Sequence, residues 1–202
     1  MGELVDRVDE QDRVVGTADR GEAIARHWLH RVATTVCRDG EGRILVHRRA
    51  AGMSRFPGQY NFLVGGAAEV GESYEEAAAR ELTEELGVVA PVRFVFKYLC
   101  RGAISPYWMG VHEAVVGGDI TPDPDEISWY AWVTEDELRA RAGRPTFVAD
   151  SVEALDRYLD RRPDHDLGRR PDRGGPIPPA PRPPSPGAAD TSGPRPPCGR
   201  RP

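Results

Sequence analysis

Two hydrophobic periodicities alternate along the chain. Runs rich in Val, Ile, Thr and aromatic residues, repeating every second position, predict strands at residues 4–8, 13–17, 31–38, 43–49, 60–64, 92–100, 109–116 and 128–133. Between them, 3.6-residue patterns predict helices at 20–27, 74–86, 135–142 and 149–161. Two turns stand out. The polar Asp9-Glu10-Gln11-Asp12 joins the first two strands as a hairpin, and Asp39-Gly40-Glu41-Gly42 joins the next two, with glycine where the chain must reverse. Interleaved strands and helices specify an α/β layered domain rather than a sandwich or a bundle.

The alternation stops near residue 162. Of the 19 prolines, 13 lie from Pro163 to Pro202, in a segment with almost no apolar side chains to offset the entropy of ordering. A domain of residues 1–162 followed by a disordered, polyproline-like tail is expected. The tail's PxxP spacings suit a groove-binding module, although a plain terminal extension is the weightier reading. Charge divides at the same place. The tail holds seven Arg and four Asp, leaving 20 basic and 28 acidic residues in the body, a net of −8 against −5 for the whole chain.

An acidic body argues against nucleic acid or an anionic membrane as partner. A small phosphorylated molecule stays open, provided a local cluster supplies cations. No stretch reaches the roughly 20 apolar residues of a membrane helix, and residues 1–10 lack the basic start of a secretory signal. Cys37, Cys100 and Cys198 lie too far apart for a metal knuckle or a disulfide framework. The expected compartment is the cytoplasm.

The chemistry concentrates in residues 65–88. Ser73 with Glu76 three residues on forms a capping box, Ala, Glu and Leu then dominate, and Gly87 is placed to end the helix. At about 100° per residue, Ala78, Ala79, Leu82 and Leu86 form a core-facing stripe, with Glu81, Glu84 and Glu85 clustered beside it. Like charges at these spacings oppose one another, and the dipole at a helix C-terminus disfavours anions. A solvated acidic face is the plain explanation. A hard divalent cation held by converging carboxylates is the functional one, favoured by Gly65-Gly66, which lets backbone approach a ligand ahead of the helix. Arg48, Arg49 and Arg55 surround a strand end and a Pro57-Gly58 turn, where guanidinium groups suit diphosphate oxygens.

The spacing Gly-x5-Glu-x7-Arg-Glu-U-x-Glu-Glu-x-Gly-U, with U aliphatic, resembles the Nudix box of the Nudix hydrolase superfamily. Gly66, Glu72, Arg80, Glu81, Leu82, Glu84, Glu85, Gly87 and Val88 fill its nine fixed positions over 23 residues. A weaker likeness over residues 4–159, including His30-Arg31, His47-Arg48-Arg49 and Phe56-Pro57-Gly58, is similar to the subgroup near isopentenyl-diphosphate isomerase.

The resemblance implies an α/β/α sandwich with a mixed sheet. It also implies hydrolysis of a diphosphate linkage, in a nucleoside-diphosphate-linked or related metabolite, by attack of water on phosphorus, with Mg²⁺ or Mn²⁺ as cofactor. Glu81, Glu85 and Glu84 then hold metal, Gly66 adds a backbone carbonyl, and Glu81 alternatively handles the proton of the water. Glu113 and Glu126 are further candidates for that last task. Glu72 and Arg80 read as a structural pair. An isomerase is disfavoured, because Gly65 and Ala67 stand where it carries its flanking Cys and His. His30 matches its second upstream histidine, but the first falls near Ala23. A non-catalytic binding module is disfavoured by the complete set of carboxylates. Substrate identity and oligomeric state, a homodimer among the options, stay open.

Overall fold

The computed structural model describes residues 2–117 and 119–160. The tail expected from residue 163 onward lies outside them. Nine strands and four helices follow in chain order.

β1 (Leu4–Val8) and β2 (Val14–Asp19) form a separate antiparallel hairpin. Asp19 caps α1 (Arg20–Ala25), its side chain accepting from the Glu22 N–H. The main sheet has seven strands, with β3 (Arg31–Arg38) at its centre. β3 runs parallel to β8 (Tyr107–Val115) on one side and antiparallel to β6 (Leu63–Ala67) on the other. β7 (Arg93–Cys100) completes the β8 edge. The Asp39–Gly42 turn forms as expected, with the Asp39 N–H donating to the Arg43 carbonyl. The ladder it starts, however, has a single pair, Arg38 opposite Ile44. Beyond that pair, β6 takes the edge of β3, and β4 (Ile44–Arg49) pairs with β9 (Ile127–Val133) and the short β5 (Tyr60–Asn61).

The single strand predicted at 60–64 is therefore two. It breaks at the fully buried Phe62, where the chain crosses from the β4 half of the split sheet to the β3 half.

Helices cover both faces. α2 (Tyr74–Leu86) packs Leu82 and Leu86 against Cys37, Leu45 and Val64. α3 (Glu135–Ala142) and α4 (Ala149–Asp160) cover the opposite face, where Leu138, Leu155 and Tyr158 join Val36, Val46 and Val111 in the largest apolar cluster. The layers are α/β/α around a mixed sheet, the layered α/β class that the alternation indicates and the arrangement that the resemblance implies. Among the described residues no helix is long and apolar enough to cross a membrane.

The ends of α2 match its sequence signals. Ser73 Oγ accepts from the Glu76 N–H, Glu76 returns a bond to the Ser73 N–H, and Gly87 adopts φ 67°, ψ 24°. That left-handed conformation suits glycine.

Candidate active site

A cleft opens on the α3/α4 side of the sheet. Its floor is β6, β3 and β8, which present Leu63 and Gly65, Val32 and Thr34, and Tyr107 and Met109 at alternate positions. α1 contributes one wall with Arg20 and Ile24, and the start of α4 contributes another with Asp150 and Ser151. The end of β4 and the loop after it add Arg49, Arg55 and Phe56. The cleft reaches Gly65 and Gly66 at the split in the sheet, and two α2 carboxylates meet the same pair of residues.

Glu85 is buried, 3 % exposed, and accepts from the Gly65 N–H at 2.9 Å. Burial pushes its carboxyl well above the usual range, and Glu126 and Glu81 push it further. Burial also raises Glu81, although the Arg80 guanidinium at 2.9 Å pulls it down; Glu84 and Glu126 act upward. Glu126, at the entry to β9, is raised by burial in the same way, against the pull of Arg49. A Cβ on Gly66 would stand 2.5 Å from Glu81 Oε1, so only glycine admits that carboxylate without displacing it. Gly65 is constrained separately: at φ 147°, a Cβ there would lie 2.1 Å from the Ala33 carbonyl oxygen.

The three predicted carboxylates are thus not equivalent. Glu81 and Glu85 turn toward the glycine pair, whereas Glu84 lies further out, its side chain 57 % exposed and paired with Arg80 at 2.9 Å. Among the described residues no three His, Cys, Asp or Glu side chains already converge at metal-ligating spacing. The donor set nevertheless suits a hard cation. Glu81, Glu85 and Glu126 are oxygen donors, Glu126 raises the carboxyls of both Glu81 and Glu85, and Glu85 and Glu126 make no ion pair within the described residues.

Arg80 braces the loop ahead of α2 as its spacing suggested. Its guanidinium holds both oxygens of Glu72, at 2.9 and 3.0 Å, and the Ala67 carbonyl at 3.0 Å. Glu113 is a correction to the sequence reading. It lies four residues past Met109 on β8, where the Arg38 and Arg93 guanidiniums and the Tyr158 hydroxyl take up its carboxylate. Those donors hold it below the usual carboxylate range despite burial, away from the cleft.

The three predicted arginines are not placed alike. Arg49 and Arg55 line the cleft and make no ion pair among the described residues. Burial depresses both, and each feels Arg20 as a like charge. Arg48, one position earlier on β4, does not line the cleft, its Nε donating to the Gly58 carbonyl at 2.9 Å. Arg20 has no signature in the sequence beyond its helix, and only the packing of the hairpin against the sheet brings it here.

Polar groups continue the cleft away from the arginines. His30 is 2 % exposed and held neutral, its pKa lowered by burial to about 4. Its ring lies 6.0 Å from that of Tyr107, whose hydroxyl donates to Asp150 at 2.9 Å. Trp108, the neighbour of Tyr107, turns to the other face and donates to the Asp9 carbonyl at 3.1 Å. His47 and His112 are buried structural residues, and Trp129 packs edge-on against Tyr60.

Comparison with known proteins places this geometry. A NUDIX domain model matches residues 28–157. An uncharacterized Nudix hydrolase of Streptomyces coelicolor is 45% identical over 158 residues, covering 77% of this chain and 87% of that protein. Another, of Yersinia pestis, is 34% identical over 172 residues, covering 83% and 91%. Among solved structures, a Deinococcus radiodurans protein superposes with a TM-score of 0.65 at 34% identity, over 77% of this chain and 98% of that one.

Proposed function

The chain belongs to the Nudix hydrolase family, whose members act on pyrophosphate linkages, and from that premise we propose that it hydrolyses the diphosphate of a small phosphorylated metabolite with a divalent cation as cofactor. One observation carries the reading. Glu85 and Glu81 reach Gly65 and Gly66 from α2, and the same two glycines line a cleft with Arg49 and Arg55, which make no ion pair among the described residues. Opposite charges held apart in this way suit a ligand that brings both phosphate oxygens and a metal ion.

In this reading Glu81 and Glu85 hold Mg²⁺ or Mn²⁺, with Glu84 and the Gly66 carbonyl at the edge of the set. When bound, the cation neutralises charge on phosphate oxygens and acidifies coordinated water. The remaining tasks belong to side chains. Arg49 and Arg55 orient the diphosphate through forked, charge-assisted hydrogen bonds. Burial raises the carboxyls of Glu126 and Glu81 above the usual carboxylate range, which favours each as an acceptor for the proton of the attacking water. Glu72 and Arg80 keep the Gly66 loop in place.

The test is a hydrolysis panel of nucleotide sugars, dinucleoside polyphosphates, ADP-ribose, NADH and nucleoside triphosphates with Mg²⁺ or Mn²⁺, comparing wild type with Glu85→Gln. Turnover that depends on the cation and drops by about 100-fold or more in the variant supports the assignment. Absence of turnover on every compound, or an equally active variant, overturns it.

A further inference from the structure

The family-matched region starts at residue 28, yet the cleft has a wall in front of it. α1 places Arg20 against the cavity with its side chain 16 % exposed. Arg20 Nη1 donates to both oxygens of Glu3, at 2.9 and 2.7 Å. Its Nε is buried and has no hydrogen-bond partner among the described residues. A buried donor without an acceptor is costly in a folded protein, and such a group in a cavity wall points to a ligand.

The charges around it point the same way. Arg55 is depressed by burial and then by Arg20, with Arg49 adding to the effect and Glu3 opposing it. Glu3 acts on His30 as well, so its carboxylate stands at this same end of the cleft. Arg49 also feels Glu85 and Glu126, and Glu126 in turn feels Arg20, whereas the acid that acts on Arg55 is the partly exposed Glu3. The Glu3 carboxylate occupies one nitrogen, Nη1, of a guanidinium whose Nε is left without an acceptor, and a phosphate has oxygens enough for both.

We propose that Arg20 is a substrate-binding residue which completes, with Arg49 and Arg55, a three-guanidinium subsite for a terminal phosphate group, and that Glu3 is the resident counter-ion this phosphate displaces. A terminal phosphate brings three peripheral oxygens and close to two negative charges, whereas an esterified one brings two oxygens and about one charge. Three guanidiniums match the former. The hairpin and α1 are then part of the site. The proposal deepens the diphosphate reading and rests on it for the identity of the ligand.

The test is calorimetric titration of the full chain with inorganic pyrophosphate at low salt and in EDTA, so that neither metal nor turnover contributes. Arg20→Gln weakens binding about fivefold or more, the effect of one partly exposed charge-assisted contact. Glu3→Gln tightens it several-fold by removing the competing anion. Melting temperatures check that each variant folds. Should Arg20→Gln fail to fold, Arg20→Lys keeps the charge, loses the fork and gives an intermediate loss. Wild type that does not bind pyrophosphate, Arg20→Gln that binds like wild type, or Glu3→Gln that binds more weakly overturns the proposal. Failure of the hydrolysis panel leaves these titrations readable, and hydrolysis that persists leaves them decisive for Arg20 alone.

Discussion

Replacing Glu85 by Gln should change stability and function in opposite directions. In the metal-free protein the buried carboxylate is opposed by its own desolvation, by Glu126 and by Glu81 one helical turn away. A like-charge pair at that helical spacing costs about 0.2–0.5 kcal/mol even when exposed. Burial adds to this cost, because the charged form loses water it cannot replace. Gln keeps an oxygen to accept the Gly65 N–H now bonded at 2.9 Å, although exchanging a charged acceptor for a neutral one forfeits about 1 kcal/mol. The gains exceed that loss, and the variant should be more stable without metal by about 1 kcal/mol. For a chain of this size that is a rise of about 2–4 °C in melting temperature.

With Mg²⁺ the order reverses. A ligand at 100 times its Kd stabilises by about 2.7 kcal/mol, a gain available to wild type and largely lost to the variant. Thermal unfolding of both proteins in EDTA and across a Mg²⁺ series measures the crossing directly. A variant that melts below wild type in EDTA would show that Glu85 is a net structural contributor. A variant that gains as much from Mg²⁺ as wild type would show that the cation binds elsewhere. Either result refutes the reasoning.

Three further expectations concern the glycine pair and a buried histidine. Gly66→Ala meets the far end of the Glu81 side chain, which can swing away, so activity should fall by about tenfold or more while the melting temperature moves little; Gly65→Ala meets the Ala33 backbone at an unfavourable φ and should lower stability by about 2 kcal/mol or more, read by denaturant unfolding. His47 is lowered to about 3 by burial, with Arg49 adding, and an unfolded His titrates near 6.5, so the unfolded state binds more protons between those values and stability is lost as pH falls from about 6.5. His30, at about 4, acts in the same direction, while the raised Glu81, Glu85 and Glu126 oppose it by gaining stability on acidification. Denaturant unfolding of His47→Leu in EDTA should therefore show a shallower decline than wild type between pH 6.5 and 4; an unchanged slope would remove His47 from the account.

How much of this was legible in the sequence depended on whether the determinants were local. α2 spans Tyr74–Leu86 as its residues predict, because its caps and apolar stripe all lie within the segment. Glu81 and Glu85 were found for the same reason: one helix sets their spacing, and the glycine pair they meet lies 15 to 20 residues upstream. The break at Phe62 was not legible, since nothing in residues 60–64 says that β5 pairs with β4 while β6 pairs with β3. The Asp39–Gly42 turn announces a reversal of the chain, but whether the ladder continues depends on which strand competes for the edge of β3.

Strand phase and the split of the sheet explain the rest. Arg48 and Arg49 are chemically identical and adjacent, yet only Arg49 lines the cleft. Alternation puts Arg48 in phase with Ile44 and Val46 on the α3/α4 side, and the register shift between Arg48 and Arg49 at the split in the sheet, which the sequence does not announce, accompanies the exchange. Glu113 shares its parity with Tyr107 and Met109, but four residues of strand carry it about 13 Å beyond Met109, into the grip of Arg38, Arg93 and Tyr158. Arg20, His30, Tyr107 and Asp150 come from four separate segments scattered over more than half of the chain, and each reads as an ordinary residue where it stands. What joins them is the packing of the β1–β2 hairpin and α1 against the open face of a split sheet. The box that carries the family resemblance thus specifies the carboxylate end of the site. The other groups that line the cleft lie largely outside it, where only the three-dimensional arrangement shows that they belong together.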